Sequence, residues 1–219
     1  MSTLEDLRVR ETLDRLHHAA RGDWKHVLTI VPSFVWSKVT GRGFMQSVAP
    51  ARFKHMYIPV SRDMGRMLYL LARSTGARTI VEFGCSFGIS TIYLAAAVRD
   101  NGGGRVITTE IEPTKCRVAE DNLRAAGLDD IATILEGDAL RTLPSIGGPI
   151  DLLFLDGWKN LYIPVLDIVE PKLRPGALLL ADNINFAEVK PYLERVRSGS
   201  GNVSTTLDGG KMECTLTAA

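Results

Sequence analysis

The chain has 219 residues, 45% hydrophobic and 23% charged, which suits one well-cored domain with a small appendage. Its longest aliphatic stretches, such as ALLLA, are too short to cross a bilayer. The N-terminal MSTLEDLRVRE lacks an apolar secretory core, and Cys85, Cys116 and Cys214 form no C-x-x-C pair, so a cytoplasmic protein with reduced thiols and no membrane partner is expected. Net charge is +1 but uneven: residues 1–78 hold 13 Lys/Arg against 6 Asp/Glu, residues 79–219 hold 13 against 19. The basic half reads either as a solvated helical face or as an entrance that draws an anionic substrate or RNA. All four histidines lie at or before His55, which excludes a His-based triad or His-rich metal site in the C-terminal half.

In chain order, residues 3–21 are expected to form a helix, with Leu4, Leu7, Leu13, Leu16 and Ala20 near one face and Gly22 ending it. Residues 24–60 carry Trp24, Phe34, Trp36 and Phe44, interrupted by Pro32, Gly41, Gly43, Pro50 and Pro59. They read as short helices and loops, either a lid over a site or a completion of the core. SRDMGRMLYLLARST is a helix capped by Ser61. Five β-rich runs follow: TIVEF (79–83), RVITTE (105–110), ATILEGD (132–138), IDLLFLD (150–156) and ALLLAD (177–182). Between them lie the helical patterns STIYLAAAVRD, PTKCRVAEDNLRAAG and IPVLDIVEPKLR, with a shorter one at 139–146. Alternation of this kind implies parallel pairing with helices on both faces, and the runs are apolar on both sides, as buried parallel strands should be. AEVKPYLERVRS is a last helix, and NVSTTL and KMECTLT flank DGG, a hairpin signal. The expectation is therefore an α/β, Rossmann-like, doubly wound sheet. It has five parallel strands followed by an antiparallel terminal hairpin, with a helical cap over residues 1–60 and a ligand-binding domain over 61–219.

Each of the five runs ends at or near an acid: Glu82, Glu110, Asp138, Asp156 and Asp182. In an open parallel sheet these ends share the ligand-binding edge. Carboxylates there bind cationic or hydroxyl-rich ligands or cap the next helix, and a mixture is expected. VEFGCSFGIST carries Glu82, Gly84 and Gly88 between a strand and a helix, where glycines allow a sharp turn and close approach to a ligand. It is not the G-x-G-x-x-G that cradles a pyrophosphate, since Ser86 stands where a third close glycine would sit. A ligand without phosphates suits it better. Glu110 is placed to accept from both hydroxyls of a ribose, and Asp138 to meet an adenine amino group.

These features resemble the class I S-adenosylmethionine (SAM)-dependent methyltransferases, with VEFGCSFG similar to their first motif and the terminal hairpin similar to their sheet. The resemblance implies that 61–219 is a SAM-binding domain. Glu82 and the 84–90 loop would hold the methionine end, with Ser90 near its carboxylate. Glu110 would hold the ribose, Ile111 would lie against the adenine, and Asp138 and Ala139 would line the base pocket.

Asp156 ends the fourth run and Asp182 and Asn183 the fifth, so neighbouring parallel strands would bring three oxygen donors together. Two carboxylates and an amide suit a hard cation such as Mg²⁺, with Asp156 also near the cofactor. Lys159 follows Asp156 by three residues; beside a cation and a sulfonium its charged form is disfavoured, and it can act as general base. Trp158 reads either as a wall of the acceptor pocket or as a core or interface residue. FLDGWKNLY followed by GALLLADN is similar to the catechol and caffeoyl-CoA O-methyltransferase group. The similarity runs from about residue 57 to the end and is strongest at 79–90 and 150–183. It implies Asp156, Asp182 and Asn183 as metal ligands, Lys159 as catalytic base and a small aromatic diol as acceptor. Gly157 replaces the histidine of the animal catechol enzymes, and Glu213 is the nearest match to their substrate-hydroxyl glutamate. Two other readings stay open. One is a tRNA-hydroxyl methyltransferase of the same fold, with Arg42, Arg52, Lys54, Arg62 and Arg66 on phosphates; the other is a catalytically silent SAM-binding protein. The N-terminal helix is also compatible with a homodimer contact.

Overall fold

The computed structural model describes residues 2–22 and 60–218. The lid residues Trp24, Phe34, Trp36 and Phe44, and Arg42, Arg52 and Lys54 of the RNA reading, lie outside the described residues.

Seven strands form one sheet in the order β3-β2-β1-β4-β5-β7-β6. They are β1 (Thr79–Phe83), β2 (Arg105–Glu110), β3 (Ala132–Glu136), β4 (Ile150–Leu155), β5 (Leu173–Ala181), β6 (Val203–Leu207) and β7 (Met212–Leu216). β1 pairs in parallel with β2 and β4, and β4 with β5. The chain therefore reverses its winding direction between β1 and β4, the place where open α/β sheets leave a crevice. β7 enters antiparallel between β5 and β6, so the hairpin docks by its second strand and β6 becomes the sheet edge.

Alternating side chains divide the core by face. Ile80, Leu152, Phe154, Leu178 and Leu180 join the core under α1 (Leu7–Gly22), α2 (Arg62–Ser74), α3 (Ile89–Asp100) and α4 (Pro113–Ala126). Val81, Phe83, Leu153, Leu155, Leu179 and Ala181 face α5 (Ala139–Thr142), α6 (Tyr162–Val169) and α7 (Lys190–Ser198). Helices thus cover both faces. Ser61 caps α2, its hydroxyl accepting from the Met64 amide at 3.1 Å. Gly127, at φ 69°, ends α4 in the left-handed region that glycine enters most readily.

Three local expectations change. The helix expected through Arg174 stops at Val169, because Pro171 has no N–H to continue the ladder. Leu173 instead starts β5 opposite Ile150. In α1 the buried positions are Val9, Thr12, Leu13, Leu16 and His17, while Leu7 points to solvent. Val9, Leu13 and Leu16 of this helix pack into the core of the sheet's first face. Among the described residues no helix is long and apolar enough to cross a membrane.

Candidate active site

A cavity of about 370 Å³ opens at the C-terminal ends of β1 to β5. Its floor is Phe83, Gly84 and Ser86; one wall is Glu110, Ile111 and Lys115; the other is formed by residues 156–159, with Asn183 and Phe186.

The floor depends on a close backbone approach. Gly84 has φ +107°, and a Cβ there would lie 2.7 Å from the Gly157 nitrogen and 2.8 Å from the Asp156 carbonyl carbon. The loops after β1 and β4 therefore touch backbone to backbone, which only glycine permits. Gly157 is constrained likewise: a Cβ would meet the Phe83 ring at 2.5 Å. A histidine at that position would require Phe83 to move.

Glu110 braces the loop and faces the cavity at once. Its Oε2 accepts from the Ser86 amide at 2.8 Å and its Oε1 from the Glu112 amide at 2.9 Å. Ser86 adopts φ 50°, a left-handed turn held by that bond. Each oxygen retains a lone pair for a ligand hydroxyl. Ile111 is 60% exposed, an apolar surface left open beside it. Asp138 and Ala139 line the same cavity, and the Asp138 carboxylate also caps α5, accepting from the Leu140 amide at 2.9 Å.

Glu82, Gly88 and Ser90, expected to hold the methionine end of the donor, are not among the residues that line this cavity. Glu82 is fully buried and accepts from the Thr91 hydroxyl at 2.5 Å. Its Oε1 has no partner among the described residues, and burial raises its pKa. Ser90 is buried in α3, and Gly88 caps that helix at φ 85°. All three shape the loop from beneath.

At the other wall, Leu155 pairs with Ala181, which brings Asp156 and Asp182 to neighbouring strand tips. Lys159 is 5% exposed; its Nζ donates to Asp156 Oδ1 at 3.1 Å and to the Tyr162 hydroxyl oxygen at 2.9 Å. The Tyr162 hydroxyl lies 2.8 Å from the Leu155 carbonyl and 2.9 Å from that of Asp182, its one hydrogen serving both. It ties the two tips and the lysine together. Asp182 Oδ1 accepts from the Asn183 amide at 2.7 Å, and Asn183 is held at φ 56°. Burial and then the neighbouring Asp156 charge push the Asp182 carboxyl up to about 6; burial raises Asp156 too, against the pull of Lys159.

Among the described residues no three His, Cys, Asp or Glu side chains gather as metal ligands. The hard-oxygen set here is two carboxylates and the Asn183 amide. Asp156 and Asp182 each keep a second oxygen without a hydrogen bond among the described residues, and two acids face one ammonium. That imbalance and donor set fit a hard divalent cation.

Trp158 lines the cavity and packs against the second core. Glu213 is not at the site: it is fully buried on β7 in a two-pronged pair with Arg197, both contacts at 2.7 Å. Arg62 pairs with Asp14 at 2.8 Å. Sequence reasoning missed Tyr162 and Lys115; Tyr162 stood one helical turn past Lys159, and Lys115 five residues past Glu110.

The sequence model of a family described as a methyltransferase domain matches residues 81–184. Catechol O-methyltransferase of Mycobacterium tuberculosis (strain ATCC 25618 / H37Rv) is 39% identical over 58% of this chain and 57% of its own length. Catechol O-methyltransferase of Niastella koreensis is 38% identical over 58% of each. The chain thus spans less than two thirds of these relatives. The O-methyltransferase from Bacillus cereus, solved in complex with SAH, superposes with a TM-score of 0.63 at 26% identity, over 73% of this chain and 83% of that one.

Proposed function

We propose, because the chain belongs to the class I SAM-dependent O-methyltransferase family, that it moves the methyl group of SAM to a hydroxyl of a catechol-like small aromatic. The observation that carries this reading is the Asp156–Lys159 pair, hydrogen-bonded from behind to Tyr162 and lining the same cavity as Glu110 and Ile111. Glu110 would take the donor's ribose hydroxyls, Ile111 would lie under its adenine, and Gly84 would let the donor approach the loop backbone.

Asp156, Asp182 and Asn183 would hold Mg²⁺ or another hard divalent cation. When bound, the ion supplies Lewis acidity to the acceptor hydroxyl and a chelation point for a vicinal one. In its neutral form Lys159 has two hydrogens, which Asp156 and Tyr162 engage, and one lone pair left for the acceptor's proton. The acceptor oxygen then bonds to the methyl carbon as the S–CH₃ bond breaks, and the proton stays on Nζ. Trp158 and Phe186 would wall the aromatic ring and exclude water.

The test is a methyl-transfer assay with labelled donor across catechols, acyl-CoA phenols and tRNA, each with and without chelator. Chelator-sensitive methylation of a catechol is expected, at least 100-fold lower in Lys159→Ala by the usual size of a general-base contribution, ~10²–10⁴. Product with tRNA alone would overturn the acceptor, and chelator-resistant turnover the metal.

A further inference from the structure

Lys115 is a buried cation that this mechanism leaves unused. It sits in the first turn of α4 and is 8% exposed, yet it lines the cavity beside Glu110. Its ammonium lies over the Phe87 ring, 5.3 Å from the centroid. Among the described residues it has no hydrogen bond and no carboxylate within ion-pair distance. Burial lowers its pKa, while the Glu110 and Glu112 charges favour the protonated form. A nearly buried ammonium without an acceptor is costly, so a bound ligand atom is the natural partner.

Resting on the SAM-binding reading above, we infer that Lys115 is a further donor-site residue whose ammonium donates to one ribose oxygen of the bound adenosyl group. The chemistry is complementary. The Glu110 carboxylate only accepts and would take the diol's hydrogens; Lys115 only donates and would take a lone pair those hydroxyls still hold. Together they would read a vicinal diol as an acceptor and a donor, and discriminate against a sugar lacking the paired oxygen.

The test is calorimetric binding of S-adenosylhomocysteine and its 2′-deoxy and 3′-deoxy analogues to wild type, Lys115→Met and Lys115→Arg, with thermal melts to verify folding. Methionine keeps the length of the side chain. We expect Lys115→Met to weaken S-adenosylhomocysteine roughly ten- to a hundred-fold, the scale of a hydrogen bond to a charged group, and Lys115→Arg to restore most of it. One deoxy analogue should bind wild type and Lys115→Met within about two-fold of each other, because the partner oxygen is already gone. Unchanged affinity in Lys115→Met, or the same fold loss for all three ligands, would overturn the inference and leave the family reading intact. No binding of S-adenosylhomocysteine by wild type would overturn both.

Discussion

Glu82 is the carboxylate whose surroundings most constrain its charge. It lies in the middle of the sheet with no solvent exposure, one oxygen bonded to Thr91 and the other without a partner among the described residues. Burial raises its pKa above the ordinary value of 4.5. The native state therefore holds this proton more tightly than the unfolded chain. Its contribution is fully present below about pH 4.5 and is lost as pH rises through the native value. Glu82→Gln keeps an oxygen for Thr91 and removes the titration. Denaturant unfolding across pH 4.5 to 8 should show wild-type stability falling more steeply than that of the variant; parallel curves would refute the assignment. Much of this was hidden in the sequence. Five acids at five strand tips were legible, because strand ends can be read from where apolar runs stop. Which of them face the cavity was not. Glu82 turns inward, while Asp138 lines the cavity and caps a helix at once, since one residue of pleat or one helical turn decides where a carboxylate points.

Between elements, the hydroxyl of Tyr162 is the link that sets β4 and β5 against each other at the site. It meets the Leu155 and Asp182 carbonyls and accepts from Lys159. Its ring is held independently by edge contacts to Phe83 and Tyr192, at 6.5 and 5.8 Å between centroids. Tyr162→Phe should keep that packing and lose only the hydroxyl. The expected cost is about 1–3 kcal/mol, because buried partners are left unpaired. Turnover should fall while donor affinity is kept, since the ribose side of the cavity is untouched. Denaturant midpoints and separate kcat and donor-binding measurements check this, and a turnover equal to wild type would remove Tyr162 from the site. At this scale the parallel strands and most helices were legible, being long, apolar and periodic. The insertion of β7 between β5 and β6 was not, because a hairpin can dock by either strand and the local sequence is the same.

Across the whole molecule, α1 is packed against the helices that cover the sheet's first face. Val9, Leu13 and Leu16 share a core with Leu68, Ile92 and Leu123. Polar ties reinforce the contact: the Thr3 amide donates to Asp100 at 2.9 Å, Arg8 Nε to the Ala125 carbonyl at 3.1 Å, and Arg15 to Asn122 Oδ1 at 2.8 Å. That last residue donates onward to the Phe87 carbonyl, so a chain of contacts runs from α1 to the loop after β1. If α1 were a separable cap, damage within it would melt first and alone. If it belongs to the domain, the whole structure should weaken together. Leu16→Ala, at a position 1% exposed, should cost about 2–4 kcal/mol by cavity formation. For a chain of this size that lowers the melting temperature by roughly 4–16 °C. The melt should remain a single transition by near- and far-ultraviolet circular dichroism, with S-adenosylhomocysteine raising the midpoint of wild type and variant alike. Two transitions, with only the first displaced by the substitution, would restore the independent cap.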